Sequence, residues 1–342
     1  MKVVGLQTFK WENNFKSIVL MIMFPLLLLF IGLLILFAVN VLNYSDTGYS
    51  NTGNSSQNSA TQTQNTTDPI TQTVDSIPYV APFFFLGTAI WFAIAWVGNR
   101  SMITAFTGAK PLDRTSNPRI YNIVENLCIS RGLPTPQIYI IEDNSLNAFA
   151  SGLSPRDAFV CFTRGLVDNL NDAELEAVAA HELTHIMNND IRLMLIAIVF
   201  VGIIQTLAWI FIRTRIRTSG KKAGEAMFIY FIIQIVVFVI AFFFSAIVQA
   251  AISQKREFLA DAGSTELVKT SQPLINALLK ISGDPQVHAV GNANVAQMFI
   301  ENPLQSGEGG FFVKLFATHP PISERIKALQ LIDAGSRAEY VG

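Results

Sequence analysis

Four long apolar stretches alternate with polar segments along the 342-residue chain, near residues 18–42, 77–97, 193–212 and 227–252. Each has about the 20 residues that a helix needs to cross a ~30 Å hydrocarbon core. The first stretch is far longer than the roughly 7 to 15 apolar residues of a signal peptide, and no small-residue cleavage site follows it. The pattern therefore predicts four membrane helices, the first of them a retained anchor.

A polar segment at residues 43–76 separates the first two stretches. It is rich in Ser, Thr, Asn, Gln and Gly, with three Asp and no Lys or Arg. Such a segment cannot bury a core, so we expect a disordered loop. Since Lys and Arg are retained on the cytoplasmic side of membranes, we place this loop outside. The Lys- and Arg-containing residues 1–17 and 98–192 are then cytoplasmic.

The segment 98–192 has the pattern of a small α+β unit. Asn117 as a cap, Pro118 in the first turn and Gly132 as a terminator delimit a helix. Apolar runs bounded by turn residues then predict three short strands, at 137–141, 147–151 and 158–162.

A second helix of this unit begins at Asn171, where Glu174 three residues on completes a capping-box-like pattern. It continues to His181 and His185, and the membrane heights compared below assume that it runs on into the third apolar stretch. A second part of this α+β unit follows in residues 253–342, with a helix near 273–281, a Gly- and Asn-rich connection and a last helix to about Ile332.

Composition agrees with a membrane protein. The chain is 51% hydrophobic and 14% charged, with a mean hydropathy of +0.39, whereas soluble domains carry about 25% charged residues. The net charge of −1 and the absence of a basic cluster on a soluble element argue against nucleic acid as a partner. Cys128 and Cys161 lie in apolar patterns and are interpreted as core residues in a reducing compartment.

The connection between the third and fourth stretches conflicts with this topology. It is strongly basic, although two full crossings would place it outside; its cationic residues are Arg213, Arg215, Arg217, Lys221 and Lys222. Either the positive-inside bias is overridden here, or residues 193–252 form a hairpin that does not fully span. Both alternatives return the chain to the same side.

The candidate chemistry lies in the sequence His181-Glu182-Leu183-Thr184-His185. On a helix the two imidazoles lie on one face about 6 Å apart, where both can bind Zn²⁺ and Glu182 can activate the hydrolytic water. A chance match is disfavoured because these polar groups are costly to bury without a partner. The pattern predicts hydrolysis of a peptide bond.

A catalytic zinc also needs a third protein ligand. Asn188 and Ile191 exclude the metzincin extension, which requires Gly and His at these positions. If the third and fourth stretches form an antiparallel pair, His185 and Glu257 return to similar heights, roughly 10 and 8 Å from the membrane edge. Asp261, one turn beyond Glu257, is suited to accept a hydrogen bond from a ligand histidine. The alternative for these two carboxylates is a solvated acidic face.

These motifs together carry a resemblance to a known family. The segments are NAFASG at 147–152, HELTH at 181–185, SQKREFLAD at 253–261 and THPPISER at 318–325. In this order they resemble HtpX-type membrane metalloproteases, relatives of the prenyl-protein endoproteases. Asn171 in place of a Ser or Thr cap, and the long polar loop, depart from the pattern.

The resemblance implies an α-helical multi-pass membrane protein with a zincin-like α+β metalloprotease domain. It implies Glu257 as the third zinc ligand, Asp261 as its support, and His319 and Arg325 close to the active site. His319 could donate to the oxyanion, although a role as a cap before Pro320 remains open. Family knowledge also implies that an edge strand pairs with the substrate backbone by β-augmentation; its residues are Asn147, Ala148, Phe149 and Ala150.

We therefore expect a zinc endopeptidase of the cell (inner) membrane. Its active site would be cytoplasmic, and its partners would be the lipid bilayer and protein substrates such as misfolded membrane proteins. One rival is a membrane scaffold that binds clients without cutting them, but the presence of Glu182 disfavours it. A transporter is disfavoured because the apolar stretches carry no ionisable residue in their middle.

Overall fold

The computed structural model describes residues 6–50, 68–213, 223–251, 254–283, 293–296, 298–301 and 319–333. The described part is mostly helical, with one small sheet. Its elements in chain order are α1 Leu6–Ser50, α2 Pro69–Thr107, β1 Lys110–Pro111, α3 Pro118–Arg131, β2 Gln137–Ile141, β3 Ala148–Ser151, β4 Phe159–Thr163, α4 Arg164–Asn169, α5 Asp172–Met187, α6 Asp190–Arg213, α7 Ala223–Ala251, α8 Lys255–Val268, α9 Gln272–Ile281, α10 Ala293–Ala296 and α11 Ile322–Asp333.

The chain divides into two compact units. The first, which we call the protease unit, comprises Met1–Leu20, Ile94–Val201 and Ala246–Gly342. The second, the apolar unit, comprises Met21–Ala93 and Gly202–Ser245. Because α6 crosses from one to the other, the first half of the third apolar stretch is buried in the protease unit rather than belonging wholly to a membrane hairpin.

The apolar unit exposes large hydrophobic side chains that a bilayer would cover, such as Phe83, which is 76% exposed. Within it, Asn40 donates to the hydroxyl of Thr73 at 3.0 Å. Three helices in the described part of the chain are long and apolar enough to cross a membrane; they are Trp11–Val41, Pro69–Thr107 and Asp190–Leu207. A shorter apolar helix, Tyr230–Phe244, lies within α7.

The structure differs from the disordered loop predicted for residues 43–76. Helix α1 continues to Ser50 and α2 begins at Pro69, so both ends of that segment are helical. Residues 51–67 lie outside the described part. The difference arises because the polar side chains at these ends carry modest helix penalties, which are outweighed when they extend long preformed helices.

A four-stranded mixed sheet lies in the protease unit, in the order β1-β2-β4-β3. Strands β2 and β4 are parallel, whereas β3 runs antiparallel to β4 with Phe149 opposite Cys161. The sheet places β3 at one edge, which is the position that the family resemblance implies for residues 147–150. Cys128 and Cys161 are buried, which confirms the prediction that they are core residues. Burial raises the pKa of the Cys128 thiol to about 11.

The helix caps follow the sequence predictions. Asn117 accepts from the backbone of Ile120, and Gly132 ends α3 in the left-handed region with φ of 62°. At the start of α5, Asn171 and Glu174 form a complete capping box, with bonds of 3.0 and 2.9 Å. These caps determine where α5, the helix of the HExxH motif, begins.

Helix α5 does not run on into the third apolar stretch, which was the condition for comparing the membrane heights of His185 and Glu257. It ends at Met187, Asn189 adopts a left-handed φ of 58°, and α6 starts at Asp190. Asn tolerates this conformation better than most residues. The resulting break lets the chain change direction directly after the second histidine.

Helix α8 packs closely against α5. Gly263 approaches Thr184 so closely that a Cβ on the glycine would overlap the threonine side chain. Beside it, the hydroxyl of Ser264 donates to the backbone oxygen of Ala177 at 2.7 Å. These small residues bring the Glu257 end of α8 next to the histidines of α5.

Candidate metal centre

The two histidines of α5 and Glu257 of α8 come together as three buried potential ligands. Each offers one ligand atom, and these atoms all lie within 4.8 Å of one another. Nε2 of His181 and Nε2 of His185 face each other at 3.2 Å. The Glu257 oxygens lie 3.6 Å from His181 and 3.5 Å from His185.

These spacings fit a tetrahedral zinc ion. Zinc bond lengths of ~2.0 to 2.1 Å place neighbouring tetrahedral ligand atoms about 3.3 Å apart. The two Nε2 atoms are 3.2 Å apart, Oε1 of Glu257 lies 3.5 Å from His185, and Oε2 lies 3.6 Å from His181. Oε2 of Glu257 is buried, and within the described part of the chain it accepts no hydrogen bond, although Nη1 of Arg325 lies 3.6 Å away. A cation at the centre of the three groups would satisfy it.

A buried ion-pair network supports His181 from behind. Nδ1 of His181 lies 3.0 Å from Oδ1 of Asp261, although the ring nitrogen is not aligned well enough to form a regular hydrogen bond. Arg325 is fully buried and donates through Nε and Nη2 to both oxygens of Asp261, at 2.9 and 2.7 Å. Its Nη1 donates to the backbone oxygen of Ile300 at 3.0 Å.

Electrostatics in the metal-free site reflect this crowding. Burial alone would lower the pKa of His181, but the adjacent Asp261 and Glu257 carboxylates outweigh burial and raise it to about 9. Burial would raise the pKa of Glu257, yet His319 and His185 hold it well below its usual range. Burial likewise opposes ionisation of Asp261, and Arg325 overcomes it, so that its pKa is lowered.

Glu182 lies in the same pocket as His185, Glu257 and His319. It is almost completely buried, and burial raises its pKa, with His181 and His185 partly opposing the shift. A carboxylate with a raised pKa is a better proton acceptor at neutral pH than an ordinary glutamate. Its position beside the ligands suits a general base.

His319 lies at the turn before α11, with Nδ1 3.3 Å from Oε2 of Glu257. It therefore borders the metal centre, as the resemblance implies, and it also precedes Pro320, so the two interpretations from the sequence are compatible. Arg325 contacts Asp261 and also lies 3.6 Å from Oε2 of Glu257 and 3.5 Å from Nε2 of His181. It therefore surrounds and supports the ligands from behind.

The outer edge of the predicted substrate strand is partly occupied by another segment of the chain. The backbone oxygen of Ala148 accepts from the backbone N–H of Ile300 at 2.8 Å, and the side chain of Asn147 donates to the backbone oxygen of Glu301 at 2.8 Å. Because backbone groups two residues apart point the same way, Ala150 also directs its N–H and C=O outward. Ala150 lines the pocket.

The segment Met298–Glu301 is a part of the site that sequence reasoning missed. Its first three residues are buried and line the pocket with Ile191 and Met194. Phe299 packs its ring on Phe149, with centroids 4.8 Å apart. The segment interrupts a Gly- and Asn-rich connection without a regular period, so only its apolar residues, Met298 to Ile300, could have indicated a buried role.

Asp190 was also missed. Its Oδ2 lies 2.8 Å from Nδ1 of His185, a contact that the left-handed break at Asn189 makes possible. The available signal was an acidic residue directly before a membrane helix, five positions after the second histidine.

Comparisons with known proteins cover most of the chain. A model of peptidase family M48 matches residues 114–333. A protease HtpX homolog from Bacteroides fragilis is 42% identical over 342 residues, covering 96% of this chain and 99% of the relative. Another from Tropheryma whipplei is 36% identical over 248 residues, covering 72% and 84%. Ste24p of S. mikatae, a solved structure, has a TM-score of 0.46 at 19% identity, covering 75% of this chain and 60% of that one.

Proposed function

The chain belongs to peptidase family M48 and is a membrane metalloprotease of the HtpX type, and from this premise we propose that it is a zinc-dependent endopeptidase with the ligands His181, His185 and Glu257. The observation that carries the choice of metal is the meeting of three buried ligand groups, with the two Nε2 atoms 3.2 Å apart and one ligand atom of each residue within 4.8 Å of the others. When bound, zinc would lower the pKa of a coordinated water and polarise the scissile carbonyl.

The residues around this centre have separate roles in the proposed reaction. Glu182 accepts the proton of the attacking water and delivers it to the leaving amine. His319, which borders the pocket, donates a hydrogen bond to the developing oxyanion. Asp261 and Arg325 keep His181 in place, since a ligand held by a buried ion pair has few other orientations.

Substrate binding follows from the open part of the β3 edge. We propose that an extended peptide pairs with the outward backbone groups of Ala150, while the segment Met298–Glu301 occupies the edge at Ala148. The pocket beside Ala150 is lined by Ile191, Met194 and Phe299. The peptide residue that enters it should therefore be apolar.

The test is a comparison of Glu182→Gln with Glu176→Gln, which makes the same change on the same helix away from the pocket. Cleavage of an unfolded protein by detergent-purified enzyme should fall by at least about 10²-fold for Glu182→Gln, while zinc content stays at one per chain. Glu176→Gln should behave like wild type. Cleavage by Glu182→Gln at the wild-type rate would contradict the assignment. Wild-type protein that binds the unfolded protein and leaves it intact would favour a client-binding scaffold.

We further propose a multi-pass protein of the inner membrane with a cytoplasmic active site, acting on misfolded membrane proteins. The support is the charge asymmetry of the sequence and the short connection between α5, which carries two of the ligands, and α6, which is long and apolar enough to cross a membrane. A protease-sensitive tag near residue 56 should be cut from outside in spheroplasts, and a tag at the C-terminus should be protected. The reverse pattern would contradict the cytoplasmic placement.

A further inference from the structure

The carboxylate of Asp190 lies where three helices meet, and it is 1% exposed. One oxygen contacts Nδ1 of His185 at 2.8 Å, on the side of the ring opposite the metal centre. The other oxygen accepts from the side-chain amide of Asn13 at 2.6 Å and lies 3.9 Å from Nη1 of Arg256. Asp190 thus connects the second histidine with α1 and with the helix that carries Glu257.

The contact with His185 determines which ring nitrogen holds the proton. A carboxylate at Nδ1 favours the tautomer protonated at Nδ1, and this leaves the Nε2 lone pair free. Nε2 is the atom that faces His181 at 3.2 Å and Glu257 at 3.5 Å. Asp190 therefore acts on His185 as Asp261 acts on His181.

The amide of Asn13 fixes the carboxylate in turn. Asn13 is 4% exposed, and besides Asp190 it donates to the backbone oxygen of Asn188 at 3.1 Å. The neighbouring Asn14 also contacts the connection between α5 and α6, but through other residues. Its side-chain oxygen accepts hydrogen bonds from Asn189 at 3.2 Å and from Arg192 at 3.3 Å. Both residues belong to Trp11–Val41, the first candidate membrane helix.

We infer that Asp190 is a positioning residue for the metal ligand His185, and that Asn13 of the first membrane helix holds Asp190 in the orientation this requires. The inference rests on the proposed zinc centre. It gives the membrane anchor a direct part in metal binding, because a shift of α1 at Asn13 would release the carboxylate that orients His185.

The experiment measures zinc dissociation constants of the full-length protein in detergent by competition with a chromogenic chelator. Asp190→Ala should weaken zinc binding by about 10- to 100-fold, as is typical when the partner of a ligand histidine is lost. Asp190→Asn, whose amide oxygen can still accept from Nδ1, should recover most of that loss. Asn13→Ala should give an intermediate loss, while the matched control Asn14→Ala should bind zinc like wild type.

A second readout separates positioning from general destabilisation. The visible spectrum of the Co²⁺-substituted protein reports ligand geometry, and it should change in Asp190→Ala and Asn13→Ala but not in Asn14→Ala. Equal zinc affinities and spectra for Asn13→Ala and Asn14→Ala, or an unchanged constant in Asp190→Ala, would overturn the inference while leaving the zinc centre intact. Wild-type protein that binds no zinc would instead contradict the proposed function.

Discussion

Replacement of Arg325 by methionine offers a sensitive test of the network behind the metal centre. The guanidinium is fully buried and makes two bonds to Asp261, at 2.9 and 2.7 Å. Methionine approximates its length but leaves the Asp261 carboxylate buried without its main partner. Breaking a buried pair in this way typically costs about 3 to 5 kcal/mol.

The expected loss is large enough for a thermal assay. At about 2 to 4 °C per kcal/mol for a unit of 150 to 250 residues, Arg325→Met should lower the unfolding temperature by roughly 6 to 20 °C. The unfolding temperature of Arg325→Lys should lie between those of wild type and Arg325→Met, because an ammonium group keeps the charge but cannot make two parallel hydrogen bonds to the carboxylate. The measurement is thermal unfolding of detergent-purified protein, followed by intrinsic fluorescence.

The double variant Asp261→Asn/Arg325→Met tests whether the pair is the cause. If the two side chains act through each other, the double variant should lose less unfolding free energy than the sum of the losses in the two single variants, by about 0.5 to 3 kcal/mol. Additive costs, or an unfolding temperature of Arg325→Met within a degree of wild type, would refute the reasoning.

Two further predictions concern the close helix contact and proton release. Gly263→Ala should destabilise the protein by about 1 to 3 kcal/mol, because the new methyl group overlaps Thr184. The control in the same unfolding assay is Gly202→Ala on α6, where an added Cβ meets no atom within 4 Å. Zinc binding at pH 7 should release a proton from His181, whose pKa is raised to about 9 without metal. Apparent zinc affinity should therefore rise about tenfold per pH unit from pH 7 and level off near pH 9. Calorimetry in buffers of different ionisation enthalpy measures the number of protons released, and a value of zero at pH 7 would contradict this prediction.

Much of the arrangement follows from local sequence signals. Asn117, Gly132 and the Asn171–Glu174 box specify helix ends through bonds to nearby backbone groups, so they are readable without tertiary information. The spacing of His181 and His185 likewise depends only on the pitch of one helix. Glu257 was selected from membrane heights and the family resemblance, and the structure places it beside both histidines.

The remainder depends on where distant segments meet. Asp190 contacts His185 because Asn189 adopts a left-handed conformation, whereas the comparison of membrane heights assumed an unbroken helix there. The segment Met298–Glu301 occupies part of the β3 edge through a pairing about 150 residues apart in the chain. Neither contact has a periodicity or a spacing that reveals it, because both are produced by tertiary packing.

The most direct test of the central claim is the zinc content of purified Glu257→Ala after dialysis against a mild chelator. Wild type should retain one zinc per chain and Glu257→Ala almost none, because two histidines alone are too few ligands for a stable site. Glu266→Ala, at an exposed position on the same helix that forms a surface salt bridge with Arg131, should retain zinc, as should His319→Ala. A Glu257→Ala protein with stoichiometric zinc, together with a His319→Ala protein that has lost it, would show that His319 and not Glu257 completes the metal centre.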